Sequence, residues 1–390
     1  MRAFVAGYVY RADRPFEQLC LLSDRILRTR FSNLLQKRSI LGVSPLRCRR
    51  APTAEMLHFL GSRLPLLRRL EQFRRHWWPH EAIDRFAAER VLDDSTRLVV
   101  GREDASAHSF HRARQLGART IYELPTAHYQ TVRSILEREE AQFPGICLQP
   151  GVADDVGSAQ AERKDAELAM ADRVLVGSKF VSDSLLRAGF PAERIVVLPS
   201  ACEESWLVHS QCFEARERTS AIVLHIGYLS LRKGTHRLLR AWKRLAAYRT
   251  HKLRLIGQMC LTPRFLMDYQ GCYEHIPRLP REELRAHYAS AAAFVLPAAA
   301  EGIAAVILEA LSYGCPIVAS RNSGAEGLLE HGKQGLLHDF GNDDELCSHL
   351  DWILTHPRER SEMAKHARER AAAWTWTDYR RRVSEIADAL

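Results

Sequence analysis

Two carboxylates and two cations carry most of the chemistry that this sequence offers. Glu301 and Glu309 frame the start of a helix in the stretch EGIAAVILEALSYGCPIVAS, with seven residues between them and a strand directly after. A helix over residues 306–313 puts Ile303, Val306, Ile307, Ala310 and Leu311 on one buried stripe and turns Glu309 to the opposite side, above Gly302 and Ala305. Small residues there let a ligand reach the backbone. The helix start, near Ala304, offers unbonded N–H groups and the positive end of a dipole, which together favour a phosphate. The structural alternative is a surface helix with an acidic first turn. The cations stand in YLSLRKG, between the run AIVLHIG and a helix over residues 235–247. Lys233 supplies a compact mobile charge and Arg232 a planar fork, so a strand, a glycine-containing turn and a helix outline a diphosphate cradle.

The elements that must position these groups alternate strand with helix. Strands are expected at residues 97–101, 118–124, 172–178 and 195–199, with helices at 106–116, 129–142, 161–171 and 180–188. This alternation argues for a parallel sheet, whose ligands meet the C-terminal strand ends. His128 follows such an end; the alternative for a lone loop histidine is a structural role. A polar, irregular stretch at 200–220 reads as a linker. The series then restarts with strands at 221–227, 252–257, 273–276, 293–297, 317–320 and 335–338. Residues 379–390 form the closing helix.

The 390 residues suit two or three domains, and 46% hydrophobic content is ordinary for packed cores. No run of about 18 uncharged apolar residues occurs, and the apolar part of MRAFVAGYVYRADRP is too short for a signal peptide, so a soluble cytoplasmic protein is expected. The nine cysteines form no C-x-x-C pair, which suggests reduced thiols rather than zinc or redox chemistry. The net charge of +9 belongs to residues 1–97, which hold nineteen Lys and Arg against ten Asp and Glu. No helix-turn-helix, finger or RNP motif accompanies those arginines, so no nucleic-acid partner is expected. Residues 3–7 (AFVAG) read as a short buried strand. Residues 66–77 read as a helix with Leu66, Leu67, Leu70, Phe73 and Trp77 on one face and Arg68, Arg69, Arg74 and Arg75 around it. That helix either docks on its own domain or makes peripheral contact with the anionic inner face of a membrane.

Glu301 and Glu309, followed by Gly314 and Pro316, resemble the E-x7-E signature of family-4 glycosyltransferases of the GT-B fold, and the likeness runs from about Gly117 onward. The resemblance implies an α/β fold of two Rossmann-like doubly wound domains facing one another across a cleft. It divides the chain into an acceptor domain (1–205), a linker (206–219), a nucleotide-sugar domain (220–373) and a helix that crosses back (374–390). It implies retaining transfer of a sugar from a nucleotide-diphosphate sugar to a glycan, lipid-linked or small-molecule acceptor. By the same resemblance Lys233, Glu301 and His128 are catalytic. Gly227, Tyr228, Arg232, Lys233, Arg278, Leu279, Glu301, Gly302, Ile303, Ala304, Ala305 and Glu309 hold the donor, Arg278 and Leu279 by its base. No D-x-D occurs, so no metal is expected, and no cofactor beyond the donor substrate. Two departures stand out. Tyr228 occupies the family's arginine position, and Ile303-Ala304 replaces Phe-Gly, which motivates two alternatives: a catalytically silent nucleotide-sugar-binding module, and a basic adaptor built on the N-terminal quarter.

Overall fold

The computed structural model describes residues 4–6, 48–50, 78–148, 157–211 and 222–390. The expected helix at 66–77, with its four arginines and Trp77, lies outside the described residues, as do the ends of the strand at 3–7. In chain order the first elements are β1 (Phe4–Ala6), β2 (Cys48–Arg50), α1 (Trp78–Arg90), β3 (Leu98–Arg102), α2 (Ala107–Gln115), β4 (Arg119–Leu124), α3 (Tyr129–Gln142), α4 (Ser158–Met170), β5 (Arg173–Val176), α5 (Lys179–Arg187), β6 (Ile195–Val197) and α6 (Glu204–Gln211). There follow β7 (Ile222–Ile226), α7 (Thr235–Arg244), β8 (Lys252–Ile256), α8 (Pro263–Met267), β9 (Tyr273–Ile276), α9 (Arg281–Ser290), β10 (Ala293–Leu296), α10 (Ala305–Ser312), β11 (Ile317–Ser320), β12 (Gly335–His338), α11 (Asp343–Thr355), α12 (Pro357–Ala372) and α13 (Trp376–Asp388). Two compact units result: Met1–Glu123 with Ser158–Asp172, and Leu124–Gly157 with Arg173–Leu390.

In the first unit β1 runs parallel to β2 and β3 parallel to β4, with α2 as the right-sized crossover between the latter pair. The N-terminus of α2 is plugged by two buried carboxylates. Glu167 accepts from the N–H groups of Asp104, Ser106 and Ala107 and from the Tyr122 hydroxyl. Asp84 accepts from His108 and Ser109 N–H, and Arg163 joins both acids at 2.7 and 3.2 Å. Burial pushes the Glu167 carboxyl up in spite of these bonds. The helix end that could have held a phosphate in this unit is therefore already filled by the protein's own anions.

The second unit is built on a six-stranded parallel sheet ordered β12-β11-β10-β7-β8-β9. Its residues alternate between two apolar layers, as a parallel sheet covered on both faces requires. Leu224, Ile226, Phe294, Leu296, Ile317 and Ala319 pack on α10 and α12. Val223, Leu253, Leu255, Val295 and Val318 pack on α7 and α11, with Trp242 fully buried among them. Of the expected core stripe, Ile307, Ala310 and Leu311 are at most 1% exposed, while Ile303 and Val306 pack partly buried against the same layer. The stretch read as irregular begins instead with helix α6, whose Trp206 is buried in the first of these layers. That helix was hidden because ESWLVHSQ has no apolar periodicity; the tertiary contacts of Trp206 and Leu207 stabilise it. The start of α13 is tied to residues 199–204, through Trp374 Nε1–H to the Pro199 carbonyl and Thr377 to Glu204. Among the described residues no helix is long and apolar enough to cross a membrane.

Candidate active site

The order of the six-stranded sheet reverses between β7 and β10: the chain steps outward through β8 and β9, returns, and continues on the other side through β11 and β12. In doubly wound sheets this switch point opens a crevice beyond the C-terminal strand ends, where ligands bind. Both predicted motifs sit there, since β7 runs into the loop of Lys233 and β10 into the loop of Glu301. Gly234 lets the loops close together. Its φ is +69°, and a Cβ on it would lie 1.8 Å from the Pro297 carbonyl oxygen, so no side chain fits. Ala299 N–H then donates to the Arg232 carbonyl at 2.7 Å, and Arg232 Nε–H to the Ala300 carbonyl at 2.9 Å.

On this frame Lys233 Nζ lies 2.9 Å from Glu301 Oε1, and Arg232 Nε 3.5 Å from the same oxygen. The three side chains keep 17%, 22% and 14% exposure for Lys233, Arg232 and Glu301, enough for a ligand to reach them. The lysine stem passes over Gly227, where a Cβ would come within 3.6 Å of it. Beneath lies His225, fully buried, bonded to the Val295 carbonyl at 2.8 Å and the Thr235 hydroxyl at 2.9 Å. Burial, reinforced by the charge of Lys233, pushes its imidazole down to about 4. It is therefore neutral at pH 7, with Nδ1–H donating and Nε2 accepting, and it pins β7 to β10 and to the first residue of α7. Tyr228 points into solvent, 65% exposed.

A second wall comes from residues 125–128, which belong to the same unit. A Cβ at Gly302 would lie 1.8 Å from the Pro125 carbonyl oxygen, so the Glu301 loop rests directly on that backbone. Arg232 Nη2 donates to Thr126 Oγ1 at 3.1 Å, and Ile303 packs against Gly177. Glu301 N–H donates to the Asn322 carbonyl at 2.9 Å, while Asn322 Nδ2 donates to the Ala299 carbonyl at 2.8 Å. His128, two residues beyond Thr126, is buried at the start of α3; its N–H donates to Ser184 Oγ at 2.9 Å and its ring lies 4.6 Å from that of Tyr129.

Glu309 differs from its expected setting. Instead of standing open beside Ala305, it is 8% exposed and covered by α9, accepting from Arg281 Nε at 3.0 Å and the Tyr288 hydroxyl at 2.9 Å. The Arg281 guanidinium stacks 4.5 Å over Trp206. Burial and the Glu309 charge raise the Tyr288 phenol well above its usual range, so it stays a donor. Ala305 is exposed at the first turn of α10, and Ala304 gives that helix no side-chain cap. Arg278 is exposed, and Leu279 packs partly buried on the α10 layer. Thr126, Asn322, Arg281, Tyr288 and Trp206 were not foreseen. Each touches its partner across twenty or more residues, with no local spacing to mark it.

Residues 213–370 match the family model described as glycosyl transferases group 1. The span takes in Lys233, Glu301 and Glu309 and leaves out His128. An uncharacterized glycosyltransferase of Haemophilus influenzae is 29% identical over 153 residues, 37% of this chain and 43% of that protein. A sulfoquinovosyl transferase of Arabidopsis thaliana is 29% identical over 223 residues, 53% of this chain and 42% of that protein. The matches thus span less than half the length of these two relatives. The Anabaena protein HepE, solved in complex with UDP, superposes with a TM-score of 0.59 at 16% identity, covering 100% of both chains. The chain accordingly has the GT-B fold, an α/β architecture with parallel sheets in two domains.

Proposed function

We propose that the protein is a glycosyltransferase of the family-4 type that moves a hexose, with retention of anomeric configuration, from a nucleotide-diphosphate sugar to a glycan, lipid-linked or small-molecule acceptor. It works in the cytoplasm, in polysaccharide or glycolipid synthesis, without a metal ion. The observation that carries this reading is the convergence of Lys233 and Arg232 on Glu301 at the switch point of the sheet. Two cations share one carboxylate there, which leaves positive charge in excess. An arriving diphosphate draws Lys233 and Arg232 to its oxygens and releases Glu301 to accept from sugar hydroxyls. As the bond from the anomeric carbon to the diphosphate breaks, negative charge grows on the leaving group. The two cations and the uncapped N-terminus of α10 stabilise it. The acceptor hydroxyl bonds to the anomeric carbon on the same face, and its proton passes to the departing phosphate oxygen. Glu309, set by Arg281 and Tyr288, offers its carboxylate to the ribose hydroxyls. Arg232 takes over the diphosphate contact that Tyr228 cannot make.

HepE has been solved with UDP and with UDP-glucose, so UDP-sugars come first in the test. UDP-, GDP- and ADP-sugars are screened for thermal stabilisation, and those that stabilise are assayed for nucleoside-diphosphate release with and without sugar acceptors. Stabilisation with release supports the transferase. Stabilisation with no release against any acceptor points to the silent binding module instead.

A further inference from the structure

A cavity of about 830 Å³ lies beside His128, walled by α3, α5 and the loops around Asn322 and Phe340, all within the second unit. Of the residues predicted to form the site, His128 alone lines it, and Asn322, which is bonded to the Glu301 loop, is the wall it shares with the donor loops. Most charges on its walls cancel locally. Arg237 is paired with Glu139, Lys179 with Asp183, and Arg321 with Glu326 and Asp339. Two guanidinium groups are left over. Arg138 on α3 and Arg187 at the end of α5 each donate Nε–H to a carbonyl of their own helix, Ser134 and Asp183, at 3.1 Å. Neither has a carboxylate partner among the described residues. Their Nη groups, on two different walls of one cavity, remain available for an anion with oxygens in a fork geometry.

Resting on the glycosyltransferase reading, we infer that this cavity is the acceptor site and that the acceptor carries a phosphate held by Arg138 and Arg187. His128 and Arg138 are ten residues apart on α3, about 15 Å of helix at 1.5 Å per residue. The phosphate therefore sits at the far end of the acceptor, a sugar unit or more from the hydroxyl that attacks. A sugar phosphate in solution and a phosphodiester lipid headgroup share this chemistry.

The test compares glucose 6-phosphate with glucose by calorimetric titration, and phosphatidylinositol with phosphatidylcholine vesicles by flotation, using the full chain and its Arg138→Gln/Arg187→Gln variant. The expected result is at least tenfold tighter binding of glucose 6-phosphate, or of phosphatidylinositol, whose phosphate lacks the compensating ammonium of phosphatidylcholine, in one arm, which identifies the source, and loss of that preference in the variant. No preference in either arm overturns the inference, as does a preference that the double substitution leaves intact. UDP titrated on the same samples keeps the two claims apart. Protein that binds UDP but shows no phosphate preference overturns the acceptor inference alone, whereas a phosphate preference that depends on the arginines in protein that binds no nucleoside diphosphate sustains the anion site and removes the donor reading.

Discussion

Glu301 and Glu309 are the same residue type eight positions apart, yet their surroundings assign them different work. Glu301 is shared by two mobile cations on a loop, whereas Glu309 is locked by an arginine and a buried phenol. Glu309→Gln keeps the shape and removes one charged acceptor, and Arg281 is exposed enough to find water instead. Nucleoside-diphosphate affinity is expected to fall about tenfold or more while the melting temperature holds. Unchanged affinity in a calorimetric titration assigns Glu309 a structural role only. Gly302→Ala is the opposite kind of change, because its Cβ meets backbone at Pro125 rather than a side chain that can swing away. We expect a loss of about 1–3 kcal/mol in urea unfolding, and a variant as stable as wild type contradicts the close approach. At this scale the motif residues were legible because each lies within a short pattern. Thr126 was not, since its bond to Arg232 spans 106 residues.

At the scale of elements, α3 and α7 are held together by a buried ion network. Glu139 accepts from His236 Nε2 at 2.6 Å and from Arg237 Nη2 at 2.8 Å, while Arg237 lies between the rings of Phe143 and Phe340 and reaches Asp343 at 2.7 Å. Burial alone would push the Glu139 carboxyl up, but the bonds from His236 and Arg237 outweigh it and hold the pKa below the ordinary value. Glu139→Gln removes the charge and leaves Arg237 with Asp343 alone, so a loss of about 3 kcal/mol is expected, read by urea unfolding. A loss near zero would mean that α3 and α7 are held by their apolar contacts instead. His225 ties β7, β10 and α7 in its neutral form. Its imidazole titrates near 4 when folded and near 6.5 as an ordinary histidine, so between those values only the unfolded chain binds the proton. Stability from this group is present above about pH 6.5 and is lost as the pH falls toward 4, about 2 kcal/mol between pH 7 and pH 5. His225→Gln should flatten that slope even if it lowers stability overall. An equal slope in the variant rules His225 out as its cause.

Across the whole molecule, the six-stranded sheet was legible because strands buried on both faces leave unbroken apolar runs such as AFVL and IVAS. The reversal of strand order at β7 and β10 explains why two motifs seventy residues apart form one site, something spacing alone does not reveal. Helix α6 and the cavity beside His128 were not legible. The helix depends on Trp206 and Leu207, and the cavity draws its walls from five separate stretches. The central claim is that the Lys233–Glu301 cluster performs the transfer rather than only shaping a loop. It is tested most directly by the turnover of Lys233→Ala at saturating donor, beside its melting temperature. Lys233 keeps 17% exposure beside Glu301 and adds little stability, yet in the proposed transfer it faces the charge that grows on the departing diphosphate. The expected result is a fall in kcat of about a hundredfold or more with the melting temperature unchanged. Wild-type turnover in that variant contradicts it.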